Sequence, residues 1–308
     1  MDMKFSHLVK KQSNFNFING DILIEKKNRY KITNYIKYLI YPIFFIIEIF
    51  FDKKINQKEI FKVEDFENFL KFYNYSEKDL ITKRPSRILQ EFKILKYLEK
   101  NYNNNQTLKV LDIGCGDGRL LNTLKNYFTK FEYVGIDKEI QSSQKKLENE
   151  NIKFITADLN TSFWIKNINF YPNLIFSQSC LEHIKYDLNL LKVLNDKYPK
   201  SKNLHLIPGS ISFLNYLAHG YRRYNVKMIK KIQKTLNKKI NYDKLGGKLS
   251  VKAYFNFYHD YIIKNDSNKI KHPFAFLKIE KKNYNIELIK KFLFQDQKSY
   301  ALFYVFDY

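Results

Sequence analysis

Apolar residues recur at helical spacing from Pro85 to Tyr102, where Ile88, Leu89, Phe92, Leu95 and Leu98 share one face and predict a helix. An asparagine-rich link at 103–106 ends it. Beyond the link, short apolar runs alternate with amphipathic stretches. Leu108 to Ile113, Tyr133 to Ile136, Ile152 to Ala157, Leu174 to Ser177 and Leu204 to Ile207 read as strands buried on both faces. Arg119 to Phe128, Ser142 to Glu150 and stretches near 180–197 and 225–238 read as the helices between them, and Tyr300 to Phe306 reads as a last strand. Strands and helices alternating at this spacing predict βαβ units and a doubly wound, mostly parallel α/β sheet.

Residues 1–83 carry no such alternation and read as an N-terminal helical extension to a domain at 84–308, which has an insertion near 240–290. Within the extension, Ile36 to Phe51 is apolar and aromatic apart from Lys37 and Glu48. It is too short for a span of roughly 20 apolar residues and is interrupted by Pro42. A buried helix and an interfacial helix in peripheral contact with a membrane both fit, with the aromatic content leaning towards the interface.

Composition changes the picture in two ways. A net charge of +23 suits an anionic partner, yet only 6 of the 54 basic residues are arginine, the better fork for phosphates and bases. Lysine, asparagine, isoleucine, tyrosine and phenylalanine are abundant together, as an AT-rich coding sequence would give, so nucleic acid is the less favoured partner. Cys115 and Cys180, the two cysteines, have no metal-ligand spacing, which argues for free thiols, a cytoplasmic setting and no metal.

The chemistry concentrates after the first strand, in Val110-Leu-Asp-Ile-Gly-Cys-Gly-Asp-Gly118. Gly114 and Gly116 allow backbone conformations and close approach that a Cβ forbids, and a helix starting near Arg119 aims amide donors over the loop, so an anionic ligand group is expected there. A dinucleotide fingerprint would need G-x-G-x-x-G, but position 119 is arginine. The segment resembles the first motif of class I S-adenosylmethionine-dependent methyltransferases, an apolar strand carrying an acid followed by G-x-G-x-G. The resemblance continues with Tyr133-Val-Gly-Ile-Asp137, 19 residues after Gly118, then Asp158-Leu159, then Ser177-Gln-Ser-Cys-Leu-Glu-His-Ile184.

That resemblance implies a Rossmann-like, seven-stranded methyltransferase domain with S-adenosylmethionine as cofactor. It assigns Asp112, Gly114, Cys115, Gly116, Gly118 and Ser177 to the cofactor cradle, Asp137 to the ribose hydroxyls, and Asp158 with Leu159 to the adenine. His183 is the candidate general base, with a merely structural role as the alternative. His219-Gly-Tyr-Arg-Arg-Tyr224 resembles a segment that covers the substrate pocket in small-molecule and sugar-directed members of the methyltransferase type 11-like subgroup. His219, Arg222, Arg223 and Tyr224 are therefore the candidate substrate contacts, with bracing of the loop as the alternative role. The implied reaction is methyl transfer, preferably to oxygen, on a small molecule, sugar, lipid-linked intermediate or glycan precursor. An RNA methyltransferase is the alternative.

Overall fold

The computed structural model describes residues 49–50, 52–56, 58, 62–75, 85–214, 223–247, 250 and 298–308. The apolar stretch from Ile36 lies outside these up to residue 48, as does most of the expected insertion. Ile49 and Phe50 are helical, and Phe50 is exposed. Among the described residues no helix is long and apolar enough to cross a membrane.

Seven strands form the main sheet in the order β4-β3-β2-β5-β6-β9-β7. They are β2 (Leu108–Ile113), β3 (Phe131–Asp137), β4 (Ile152–Thr156), β5 (Leu174–Gln178), β6 (Lys202–Pro208), β7 (Asn241–Leu245) and β9 (Phe303–Asp307). The first five are mutually parallel, and β9 runs antiparallel to both β6 and β7. Apolar side chains on both faces of the central strands fill two separate clusters, one on each side of the sheet, as a parallel sheet covered twice by helices requires.

Helices α2 (Pro85–Asn101), α3 (Arg119–Tyr127), α5 (Asp187–Lys197) and α6 (Val226–Leu236) stand where amphipathic spacing places them. In α6 the Asn225 side chain accepts from the Met228 amide and Asn237 ends the helix in the left-handed conformation. Two expected helices are shorter. Only α4 (Ser142–Lys145) forms after β3, because the chain turns back at Asn149 to bridge Ile152. The stretch from 180 divides into a 3-10 turn, Leu181–His183, and α5. β7 was not expected as a strand; its sequence Asn-Tyr-Asp-Lys-Leu lacks an apolar run, and the buried Lys244 reaches Ser299 Oγ at 3.1 Å.

Residue 83 is no packing boundary. Helix α1 (Val63–Phe72) buries Phe66 and Phe69 against Phe92 of α2, with ring centroids 5.3–5.7 Å apart. Each such aromatic pair adds about 0.5–1.5 kcal/mol beyond area burial. A two-residue strand β1 (Ile55–Asn56) pairs antiparallel with β8 (Lys298–Ser299). Asp52, buried, accepts from Tyr304 Oη at 2.8 Å, from the Val226 amide at 3.3 Å and from Ser210 Oγ. These contacts knit the described part of the extension into the α/β domain.

Candidate functional site

Strand order reverses between β2 and β5, so the loops leaving these two strands part to opposite sides and open a crevice at their carboxyl ends. A cavity of about 490 Å³ occupies it. The loop from Gly114 forms one wall, the residues after β3 and β4 a second, and Gln178 to Ile184 a third.

The loop is tightly held. The amides of Gly114 and Cys115 both donate to the Ile136 carbonyl, at 2.7 and 3.0 Å. Gly114 has φ +67°, and a Cβ there would lie 2.0 Å from Cys180 Sγ, so glycine is needed for both conformation and space. Gly116 has φ +53° and nothing within 4 Å of an added Cβ, which would project into open space. The Gly116 amide donates to Asp137 Oδ2 at 2.8 Å, and its carbonyl accepts from Gln144 Nε2. The anion expected over this loop is therefore supplied, at Gly116, by the protein's own Asp137.

Charge in the cavity is predominantly acidic, although the chain is basic overall. Asp112, Asp117, Asp137, Glu139 and Asp158 line it, against Arg87, Arg119 and Lys138. Arg119 Nε is already engaged by both carboxylate oxygens of Asp117 at 2.9 Å. Asp112 is buried, accepts from Tyr133 Oη at 2.7 Å, and is pushed up to about 7 by burial, with Asp137 and Asp117 adding to the rise. Such a lining disfavours a pyrophosphate and suits a ligand carrying positive charge. An open glycine at the loop tip and an acid-rich wall together fit S-adenosylmethionine, with its sulfonium and ammonium groups.

Asp112, Gly114, Cys115, Gly116, Asp137, Asp158 and Leu159 all line this cavity, and His183 stands at its far wall. Asp137 Oδ1 accepts from the Lys138 amide at 2.7 Å, so each carboxylate oxygen holds one protein donor and keeps further acceptor capacity. Asp158 is exposed and accepts from the Asn160 amide at 2.9 Å. His183 Nε2 lies 3.8 Å from Glu182 Oε1. Burial pushes the Glu182 carboxyl up, against the pull of His183, Arg223 and Arg87.

Two residues expected in the cradle do not line the cavity. Ser177 is completely buried and its Oγ lies 2.8 Å from His205 Nδ1, because strand alternation sends it away from the cavity and brings Gln178 to it. Gly118 caps α3 at φ +76° against Phe154 instead of lining the cavity. On the substrate side, His219 and Arg222 lie outside the described residues, and Arg223 is buried. Tyr224 is fully buried and donates to Asp187 Oδ2 at 2.7 Å, which ties the entry of α6 to the start of α5.

Sequence reasoning passed over Arg87, Gln178 and Gln144. Arg87 comes from the start of α2, far from any motif, and donates to Gln90 Oε1 at 3.1 Å, which also accepts from Gln178 Nε2 at 2.6 Å. Its one sequence signal is arginine in a chain that otherwise uses lysine. A second cavity of similar volume shares Arg87 and Arg119 with the first and is completed by Tyr73, Tyr75, Glu91 and Asn122 among others. Both thiols are buried and free, and burial pushes each up, which leaves them unreactive. Among the described residues no cluster of His, Cys, Asp or Glu could hold a metal ion.

Solved structures with a similar course of chain include the plantazolicin methyltransferase BamL, crystallised with a triazolic desmethylPZN analog and SAH, at 18% identity and a TM-score of 0.45 over 79% of this chain and 95% of that one. A SAM dependent methyltransferase from Archaeoglobus fulgidus aligns at 16% identity and a TM-score of 0.43, over 79% of this chain and 98% of that one. Superposition this loose lends no weight to a choice of acceptor. No curated protein matches the chain. Residues 104–276, more than half of the chain, match the family described as "Methyltransferase domain", so this protein belongs to that family and is an enzyme using S-adenosylmethionine as its methyl donor.

Proposed function

We propose that the enzyme methylates an oxygen of a small-molecule, sugar or lipid-linked glycan-precursor acceptor, with His183 as general base. The observation that carries this reading is the position of His183, at the cavity wall with the buried Glu182 carboxyl 3.8 Å away. A hydroxyl acceptor needs its proton removed as the new bond forms, and imidazole beside a carboxyl is suited to that.

When bound, the donor supplies a methyl group on a positively charged sulfur, so transfer needs alignment and exclusion of water more than covalent help. Asp137 would accept from the ribose hydroxyls, Asp158 from the adenine amino group, and Leu159 would pack on the ring. Arg87 is the cation placed to meet the donor's carboxylate. His219 and Arg222 would contact the acceptor.

Transfer of labelled methyl from S-adenosylmethionine into cell extract separated into RNA, lipid, glycan and small-molecule pools tests this. Label is expected in one of the last three. Label in RNA alone would overturn the proposal in favour of an RNA methyltransferase, the reading that the charge of +23 supports. His183→Ala should lower turnover by about 10²–10⁴-fold with donor affinity kept within about twofold; undiminished turnover removes His183 as the base.

A further inference from the structure

Asp112 and Tyr133 are on adjacent parallel strands, but they are not register partners: Asp112 faces Gly135, and Tyr133 faces Val110. The pair meets diagonally because position 135 has no side chain. A Cβ on Gly135 would come within 3.0 Å of the Tyr133 ring and 2.9 Å of Cys115 Sγ. Across that gap the fully buried Tyr133 hydroxyl donates to Asp112 Oδ2 at 2.7 Å.

We infer that Tyr133 is a positioning residue for donor binding, holding the Asp112 carboxyl in the cavity wall so that it gives up its proton when the cationic donor enters. This rests on S-adenosylmethionine being the ligand of the cavity.

The surroundings of Asp112 support the linkage. Strand β3 brings Tyr133 and Asp137 to it, the glycine loop brings Cys115 and Asp117, and Cys180 faces it from the end of β5. Arg87, Arg119, Lys138 and His183 also line the cavity, but no ion pair among the described residues involves Asp112. Burial and the two neighbouring aspartates push its carboxyl up to about 7, and the Tyr133 hydrogen bond pulls the other way. A positive charge brought into the cavity supplies the missing counterion, the carboxyl O–H breaks, and the proton passes to solvent. The negative charge stays behind, opposite the donor.

The test is calorimetric titration of the whole protein with S-adenosylmethionine at pH 6, in buffers of different ionisation enthalpy. At this pH the donor's own α-ammonium, which titrates near 7.7–8.0, stays charged. The wild type should release most of one proton per donor bound. Asp112→Asn should abolish most of that release, and His183→Ala should retain it. Tyr133→Phe removes one hydroxyl and should weaken binding about tenfold at pH 6, while matching the wild type near pH 9. A purely structural loss would weaken binding by one factor at both pH values, and that result overturns the role of Tyr133. Binding with no proton release overturns the linkage and leaves the donor reading intact, whereas absence of any binding heat removes both.

Discussion

Gly114 and Gly116 stand two residues apart in the same loop with similar positive φ, and their substitution should have opposite signatures. Gly114→Ala drives a methyl into Cys180 and should cost about 2–4 kcal/mol of stability, read as a fall in the denaturation midpoint. Gly116→Ala meets open space, so it should cost only about 1 kcal/mol while weakening donor binding, which titration would register. His205 sets a pH dependence. Burial pushes it down to about 3, below its ordinary 6.5, so the unfolded chain binds the proton that the folded one refuses. Its contribution is whole above about pH 7 and is lost as pH falls from 6.5 towards 3, at up to about 1.4 kcal/mol per unit. Asp112 has the opposite sign, since a raised carboxyl favours the folded state in acid. His205→Gln should therefore flatten the decline in stability between pH 6.5 and 4, as measured by urea unfolding; an unchanged slope would put the acid sensitivity elsewhere.

At the scale of elements, the site depends on what each strand does with its last residue. β2 ends by delivering Asp112 and the glycine loop, β3 ends on Asp137, and β5 ends by turning Gln178 to the cavity and Ser177 to the buried His205 on the other face. Alternation decides that last choice, and a motif matched position by position carries no information on it. The segment entering α6 is held from inside the fold by the Tyr224 bond to Asp187, the residue that opens α5. Tyr224→Phe leaves the ring in place and removes one hydrogen bond from a buried carboxylate, so it should cost about 1–3 kcal/mol. Melting temperature should drop by several degrees with donor affinity unchanged. A loss of acceptor affinity without a loss of stability would instead make Tyr224 a contact.

At the scale of the molecule, Asp52 joins three distant parts of the chain: the turn after β6 through Ser210, the start of α6 through Val226, and β9 through Tyr304. Removing its carboxylate leaves three buried donors without their acceptor. Asp52→Ala should lower stability by about 3–5 kcal/mol, more than the loss of a surface acid, and the denaturation midpoint is the measurement. A change under 1 kcal/mol would mean that the N-terminal segment docks independently of this residue.

By itself the sequence determined the parallel core of the sheet, the glycine loop and the acids at the ends of β2 and β3, because these follow from local rules: apolar runs for doubly buried strands, and absent Cβ atoms where the backbone must turn. It also pointed to the methyltransferase family, since several motifs fall in one order at family spacing. Tertiary structure alone decided that residues 52–56 and 62–75 are part of the domain, that polar β7 is a strand, and that Arg87 reaches the cavity. Each of these depends on partners far away in the chain, such as Phe92 for Phe66, β9 for β7, and the crevice between β2 and β5 for Arg87. Neither periodicity nor motif spacing encodes which distant surface a residue will meet.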